Sequence, residues 1–430
     1  MPLTITNDNE KLINLPILNA KLAKMAWYNT FWAKLAGFQE ITRTNGIRQT
    51  NPATNVVVQG LRDFVEQGRD NMLMYMLLPL NEPGVYGDSW LKGTGEQMNM
   101  KYSQVFINQW RKAATKMSGR MNYQRIKVLN LMEEVQPALS EWWSKTYNGA
   151  FFQTIYEGVS PNLSAGTKDN GLGMVRRAHP NQYTHSPTTD GVLTAVGTAK
   201  NTKTATELAT ALTSSPKKAS AKMLAELRIV LSTELLIEPI VHNGGEFWLM
   251  LVAPDVLKQL KQDSTIISAQ NSAFMGQLAS FPAFQGRDFV YYDGICAVEE
   301  RIGVRNVPVN TSFGSLDTFF GLLYDKGYFL PPARFTDSSK AYANIVLGRD
   351  ALAYGIAQDL EYTVEVDDHE NVIEIGSQGI MGVNRLEYFN DSVMSAVYAR
   401  GNLSPAEYNV STPVINQSSA IIYTGNANAT

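Results

Sequence analysis

An α+β fold is predicted, on three observations. Residues 122–147 carry a helical apolar stripe, two strand-like runs flank a glycine-rich segment between 71 and 110, and from 245 onward strand and helix signals alternate before strands return. At 430 residues the chain exceeds one ordinary core, and at about 100–200 residues per domain two or three are expected. The hydrophobic fraction of 44% is enough to fold, which excludes long disorder. A net charge of −3 argues against a dedicated nucleic-acid binder, which shows a basic excess. Cys296 is the single cysteine, so an intrachain disulfide, a cysteine-cluster zinc site and an iron–sulfur cluster are all excluded. The composition fits a reducing cytoplasm.

Residues 1–9 are polar with no basic stretch leading into an apolar one, so no signal peptide is expected. The longest apolar runs fall far short of the ~20 residues that span a bilayer, and no membrane partner is expected. Residues 10–36 carry leucine, isoleucine and methionine at mostly helical spacing, with Pro16 near the first turn. Trp27, Tyr28, Phe31 and Trp32 crowd the second half of this arm. Such a load packs either on the chain's own core or on a neighbouring subunit.

Residues 42–53 read as a linker. The run Met72-Leu73-Met74-Tyr75-Met76-Leu77-Leu78 has strand length, and alternation resumes over 98–110. Between them, Pro83-Gly84, Gly87-Asp88 and Gly93-Thr94-Gly95 are turn chemistry. The whole is a long two-stranded excursion, which is marginal alone and needs something to lie against. Tyr86, Trp90 and Lys92 lie in its tip. The helix over 122–147 begins at Asn122, a good cap, and contains Pro137, where a kink or break is expected. Residues 158–220 lose periodicity and read as a domain boundary or surface excursion. Beyond it, helices are expected at 219–236, 256–262, 268–278 and 342–358. Strands are expected at 245–253, 287–292, 295–299, 319–325, 362–366, 372–375 and 380–389. The last thirty residues are strand-like in parts.

No phosphate-binding loop, no His-Glu-x-x-His and no Gly-x-Ser-x-Gly elbow occurs. No cofactor, metal or catalytic residue is therefore expected. His179 and His185 flank a Pro/Thr-rich loop and read as solvated. Asp367-Asp368-His369-Glu370 reads as a hairpin tip, since Asp and Asn supply turn geometry. Glu133-Glu134 and Glu299-Glu300 are sequence neighbours that point to different faces, so neither is a catalytic dyad. One charge pattern stands out: Lys101, Arg111, Lys112, Lys116, Arg120, Arg125 and Lys127 run without an intervening acid. It is either a solvated basic face or a surface held near a polyanion. Eight of the sixteen methionines fall between Met72 and Met132, as either adaptable core filler or a surface that repacks.

The order of elements, with several stretches, resembles the major capsid protein of tailed bacteriophages, the Hong Kong 97 type of fold. Gly119-Arg120-Met121-Asn122-Tyr123-Gln124-Arg125 and Leu139-Ser140-Glu141-Trp142-Trp143 look like the start of that family's spine helix. Glu238-Pro239, then Trp248-Leu249-Met250-Leu251-Val252-Ala253-Pro254, is similar to the axial domain of the subgroup near the major coat protein of phage N-four. Asn344-Ile345-Val346-Leu347-Gly348-Arg349-Asp350-Ala351-Leu352 and Gly379-Ile380-Met381-Gly382-Val383-Asn384-Arg385 resemble its C-terminal signature. The resemblance spans about residues 10–400 and its motifs are structural and loose.

The resemblance implies an arm over 1–60 and an extended loop with the start of a peripheral domain over 61–118. It implies the spine helix and peripheral domain over 119–220, an axial domain over 221–350, and a return to the peripheral domain with a tail over 351–430. It implies hexamers and pentamers of an icosahedral shell around double-stranded DNA, found in the virion and assembled in the bacterial cytoplasm. Tyr86, Trp90 and Lys92 on the loop, and Trp27, Phe31 and Trp32 on the arm, would then touch neighbouring subunits. Arg111, Lys112, Lys116, Arg120 and Arg125 would face DNA. The partners implied are copies of the chain and a portal protein, with a cement protein outside left open; because only about 55 residues precede the strand region, a separate scaffolding protein is implied, or none. Some relatives crosslink a lysine to an asparagine, and nothing here identifies a partner for Lys92 in such a bond. Two other readings stay open: an encapsulin-like compartment that stores cargo enzyme, and a hydrolase with dispersed carboxylates.

Overall fold

The computed structural model describes residues 22–27, 30–38, 40–44, 47–51, 53–62, 71–77, 85–86, 88, 100–118, 131–158, 178–197, 203–269, 280–301, 303–308, 340–367, 372–389 and 414–425. Two large sheets organise them. The larger has nine strands. Its path runs Phe289–Tyr292, Ile295–Glu299, Gly245–Val252, Lys340–Leu347, Ser419–Gly425, Gln182–His185 and Leu193–Ala195. Ile240–His242 pairs beside Gly245–Val252, and Arg305–Pro308 beside Lys340–Leu347. The central strands are buried on both faces: every residue of Ser419–Gly425 is buried, as are the last six of Gly245–Val252. Such strands read as continuous apolar runs rather than alternations.

Helices cover this sheet. Ser220 caps Ala221–Ile229 by accepting the Met223 N–H at 3.3 Å. Pro254 opens Pro254–Gln262, where its missing N–H costs nothing, and Val256, Leu257 and Leu260 face the core.

The second sheet has five strands, in the order Ala36–Phe38, Val58–Leu61, Leu352–Asp367, Val372–Arg385 and Asn108–Ser118. The helix Leu131–Glu157, roughly 40 Å at 1.5 Å per residue, packs on it. The helix passes through the exposed Pro137 without a break in its span. It also continues ten residues beyond the expected end. Ala150, Phe151, Phe152, Ile155 and Tyr156 are buried there, and packing of an apolar face outweighs the weak helix propensity of Asn148 and Gly149. The expected start at 122 lies outside the described residues.

The chain crosses between the sheets at Gly348–Arg349–Asp350. A side chain on Gly348 would overlap the Glu238 carbonyl, and Asp350 takes a left-handed φ of 57°. This crossing corrects the helix expected over 342–358, which is two strands, Lys340–Leu347 and Leu352–Asp367. The first runs between Gly245–Val252 and Ser419–Gly425 and is buried at every position from 341 to 347, so its largely apolar run carries no strand period.

Two further expectations change. Residues 42–53 contain a small hairpin, Glu40–Thr44 with Ile47–Asn51, rather than a plain linker. Gln182–His185, Leu193–Ala195 and Ser419–Gly425 belong to the nine-stranded sheet, so neither a surface excursion over 158–220 nor a peripheral tail at the C-terminus describes them. The strand expected over 319–325 lies outside the described residues. The helix expected over 268–278 appears as Ser264–Ala269, with the remainder outside them.

Candidate functional surfaces

The β-excursion is present. Asn71–Leu77 pairs antiparallel with Met100–Phe106 from Asn71↔Phe106 to Leu77↔Met100. Its base is tied to the five-stranded sheet. The Phe106 N–H donates to Asn384 Oδ1 at 3.1 Å. Gly382 allows that approach, because a Cβ there would overlap the Phe106 carbonyl oxygen. Toward the tip, Tyr86 is 83% exposed. Trp90 and Lys92 lie outside the described residues.

The arm aromatics pack on the chain's own core. Residues 22–27 are helical, and the indole of Trp27 stacks on Tyr354 at 4.7 Å. Trp32 is fully buried and stacks on Phe151 at 5.3 Å. Phe31 is buried beside Trp32, with the Arg287 guanidinium 4.4 Å over its ring. The inter-subunit expectation is corrected for Phe31 and Trp32, which are buried inside the chain, Trp32 against Phe151 and Phe152 of the long helix and Phe31 beside Trp32 and Arg287; Trp27 is half-buried against Tyr354 and the long helix. The network continues through Trp143, parallel to Trp110 at 6.5 Å, whose indole N–H donates to Ser377 Oγ at 2.6 Å.

The basic run divides. Arg111 and Lys112 are exposed on Asn108–Ser118, and the Lys112 ammonium sits 5.4 Å over Trp142. Lys116 lies on the same strand, opposite Glu374. Arg120 and Arg125 lie outside the described residues.

Two buried polar nodes went unforeseen. The first is the ion pair of Arg385 and Glu387, both fully buried, with Arg385 Nε donating to Glu387 Oε1 at 2.6 Å. Arg385 also donates to the carbonyl of Ile155, so the cation caps the C-terminal end of the long helix. Its backbone N–H bonds the Gly158 carbonyl at 3.0 Å. The second node contains His179, which is fully buried, contrary to the solvated reading. Its Nδ1 accepts the Asn181 N–H at 3.1 Å, leaving Nε2 to donate to Ser419 Oγ at 2.9 Å. Desolvation, reinforced by the Arg385 charge, holds its pKa well below the ordinary value. His185 is buried too, with Nε2 accepting the Gly191 N–H at 3.0 Å. His179 bonds a backbone amide and a hydroxyl, and His185 bonds a backbone amide beside Asp190, which a solvated loop would not provide.

Other candidates for chemistry fall away. Glu299 pairs with Arg301 at 2.7 Å and Glu300 with Arg287 at 2.6 Å. The Cys296 thiol is buried, and burial pushes its pKa up, away from thiolate reactivity. Among the described residues no cluster of His, Cys, Asp and Glu is arranged to hold a metal ion. No described helix is long and apolar enough to cross a membrane. Asp367 pairs with Val372, so a four-residue connection joins the two strands as the hairpin reading expects, while residues 368–371 themselves lie outside the described set.

A family model described as phage capsid protein matches residues 16–397. No curated protein matches the chain. Among solved structures, the capsid of Ralstonia phage GP4 is similar over 88% of this chain and 89% of its own, with a TM-score of 0.58 at 13% identity. The capsid asymmetric unit of Cyanophage Pam1 covers 93% of each chain at a TM-score of 0.56 and 13% identity. The acid-stable capsid of Helicobacter pylori bacteriophage KHP30 covers 93% of this chain and 91% of its own, at 0.55 and 9%. At these identities the likeness is one of fold.

Proposed function

The chain belongs to the phage capsid protein family, and from that premise we propose a structural rather than catalytic role as the repeating subunit of an icosahedral shell. It is a major capsid protein with the fold of tailed-phage capsids. In the proposed assembly, copies form hexamers and pentamers that close around double-stranded DNA in the virion, after assembly in the host cytoplasm. A portal protein, a scaffolding protein and a cement protein are the further partners such a shell would use.

The β-excursion carries this reading. Among the described residues its two strands pair only with each other, and a two-stranded ribbon is marginal in water, so a neighbouring subunit is what it lies against. The 83% exposure of Tyr86 supports the same conclusion, since Tyr and Trp are the residues that most often anchor interfaces. Tyr86, Trp90 and Lys92 are the contacts proposed for the loop. DNA is held without sequence preference through phosphate charge, with Arg111, Lys112, Lys116, Arg120 and Arg125 as the inner-face candidates.

Sedimentation and negative-stain microscopy of the purified protein test the reading. Rings or closed shells are expected. A stable, folded 47.6 kDa monomer at micromolar concentration would overturn it.

A further inference from the structure

The five-stranded sheet presents two long edges of opposite charge. Asn108–Ser118 pairs on one side with Val372–Arg385, and no described strand lies on its other side. That edge carries Arg111, Lys112 and Lys116 and no acid. The opposite edge arises because Val58–Leu61 pairs only with the first four residues of Leu352–Asp367. From 356 to 367 no described strand covers that side, and this stretch carries Asp359, Glu361, Glu365 and Asp367 and no base. Arg111, Lys112 and Asp359 are exposed.

Charged residues on open strands are a usual defence against edge-to-edge association. Defence is served by edges of one sign, which repel when two copies meet. Edges of opposite sign attract instead, and they do so head to tail. The register adds an independent observation. Glu365 stands directly opposite Glu374, and Glu374 stands directly opposite Lys116. Like charges opposite one another destabilise a strand pair. The register places one cation, Lys116, on the strand beyond Glu374, and a basic strand added at the 356–367 edge would place a second beyond Glu365.

We propose that the basic Asn108–Ser118 edge of one copy docks on the acidic 356–367 edge of a second copy of this chain. The inference rests on the reading of the chain as a shell subunit and names where two subunits meet. It takes Arg111, Lys112 and Lys116 away from the DNA-facing role expected from the sequence and gives them carboxylate partners on a neighbour. A contact between two different surfaces of identical chains is heterologous, and its repetition closes into rings. Because the paired charges lie at a partly hydrated edge, the contact weakens with salt.

Charge reversal with rescue tests this. One variant carries Arg111→Glu, Lys112→Glu and Lys116→Glu, a second Glu361→Lys, Glu365→Lys and Asp367→Lys, and a third all six. Particles are counted by microscopy and retained DNA is measured, with a circular-dichroism melt of each unassembled subunit as the folding control. Each triple variant is expected to stay folded, the basic-edge triple melting slightly lower because Lys116→Glu faces Glu374 and Lys112→Glu leaves Trp142, but to lose particles by ~tenfold or more, since like charges brought together across an interface are strongly disfavoured. The six-fold variant is expected to recover them. Triple variants that assemble at the native level would overturn the contact. Failure of the six-fold variant beside both triples would show that the residues act within their own subunit and would overturn it too. Normal particle numbers with less retained DNA in the first variant would return the basic edge to the DNA. If the native chain itself forms no particles, the shell reading falls, and this contact with it.

Discussion

The two sheets bury apolar side chains to different degrees of completeness. The nine-stranded sheet is completed through its centre by the chain itself: its central strands are buried on both faces, its last strand, Ser419–Gly425, slots between Lys340–Leu347 and Gln182–His185 from the far end of the sequence, and the strands at its two ends are only four and three residues long. The five-stranded sheet has one face covered by the long helix and its aromatic network, yet among the described residues two charged edges stay open and the strands of the attached ribbon pair only with each other. The first region is built as a folding unit. The second is a folding unit whose open edges and ribbon are the parts proposed above for neighbours. A protein that must fold alone and then assemble needs both, and this chain assigns them to different sheets.

The comparison breaks most readily at the buried ion pair that ties the long helix to its sheet. Arg385→Ala leaves Glu387 charged and buried, and removing one partner of such a pair costs about 3–5 kcal/mol. The melt of the unassembled subunit should fall accordingly. A loss under about 1 kcal/mol would mean that water reaches the site. At the ribbon the opposite signature is expected. Trp90→Ala should leave the subunit melt unchanged and weaken particles by about 2 kcal/mol per contact, as truncating an interface anchor does. Heat-stability curves of mutant shells, beside the subunit melt, separate the two. Shells of native stability would place the tip in solvent.

The third test sharpens the account of the seam beside Ser419–Gly425. His179 stays neutral in the folded chain because burial, then the Arg385 charge, lowers its pKa. The unfolded chain takes up a proton near the ordinary value of about 6.5, and the folded chain does not. Stability from this group is therefore full above about pH 6.5 and is lost as pH falls, by up to about 1.4 kcal/mol per pH unit. Burial lowers the His185 pKa in the same sense. Urea midpoints at pH 7 and pH 5 should show the loss, and His179→Gln should reduce it. An unchanged slope in that variant would assign the acid sensitivity elsewhere.

The smallest effect is a gain. Leu236 follows the helical turn Val230–Glu234 with a left-handed φ of 51° and is 59% exposed, while the Ile237 N–H closes the turn on the Leu231 carbonyl at 2.9 Å. Glycine is the residue that takes this position without penalty. Leu236→Gly should raise the subunit's stability by about 1 kcal/mol. A fall would show that the leucine packs where it now stands exposed.

Much of the fold was legible where its cause is local. The excursion, the strand Gly245–Val252, the helix opened by Pro254 and the hairpin turning after Asp367 follow from alternation, apolar runs and turn residues close together in sequence. What was missed depends on distant partners. His179 looks solvated in a Pro-rich stretch until Ser419, 240 residues away, supplies its hydrogen bond. Trp27 and Trp32 look unpartnered until Tyr354 and Phe151 cover them. Lys340–Leu347 looks helical because burial on both faces erases the strand period. That misreading also hid the acidic edge, since Asp359, Glu361, Glu365 and Asp367 line up only once residues 352–367 are recognised as one strand.

Hydrogen–deuterium exchange, compared between the unassembled subunit and assembled particles, most directly tests the division between a sheet the chain completes and a sheet its neighbours complete. Amides of 71–77, 100–118 and 356–367 should gain protection on assembly, by roughly tenfold or more, while those of 245–252, 340–347 and 419–425 are already protected in the subunit and change little. Edges equally protected before and after assembly, or a gain confined to the nine-stranded sheet, would contradict the account.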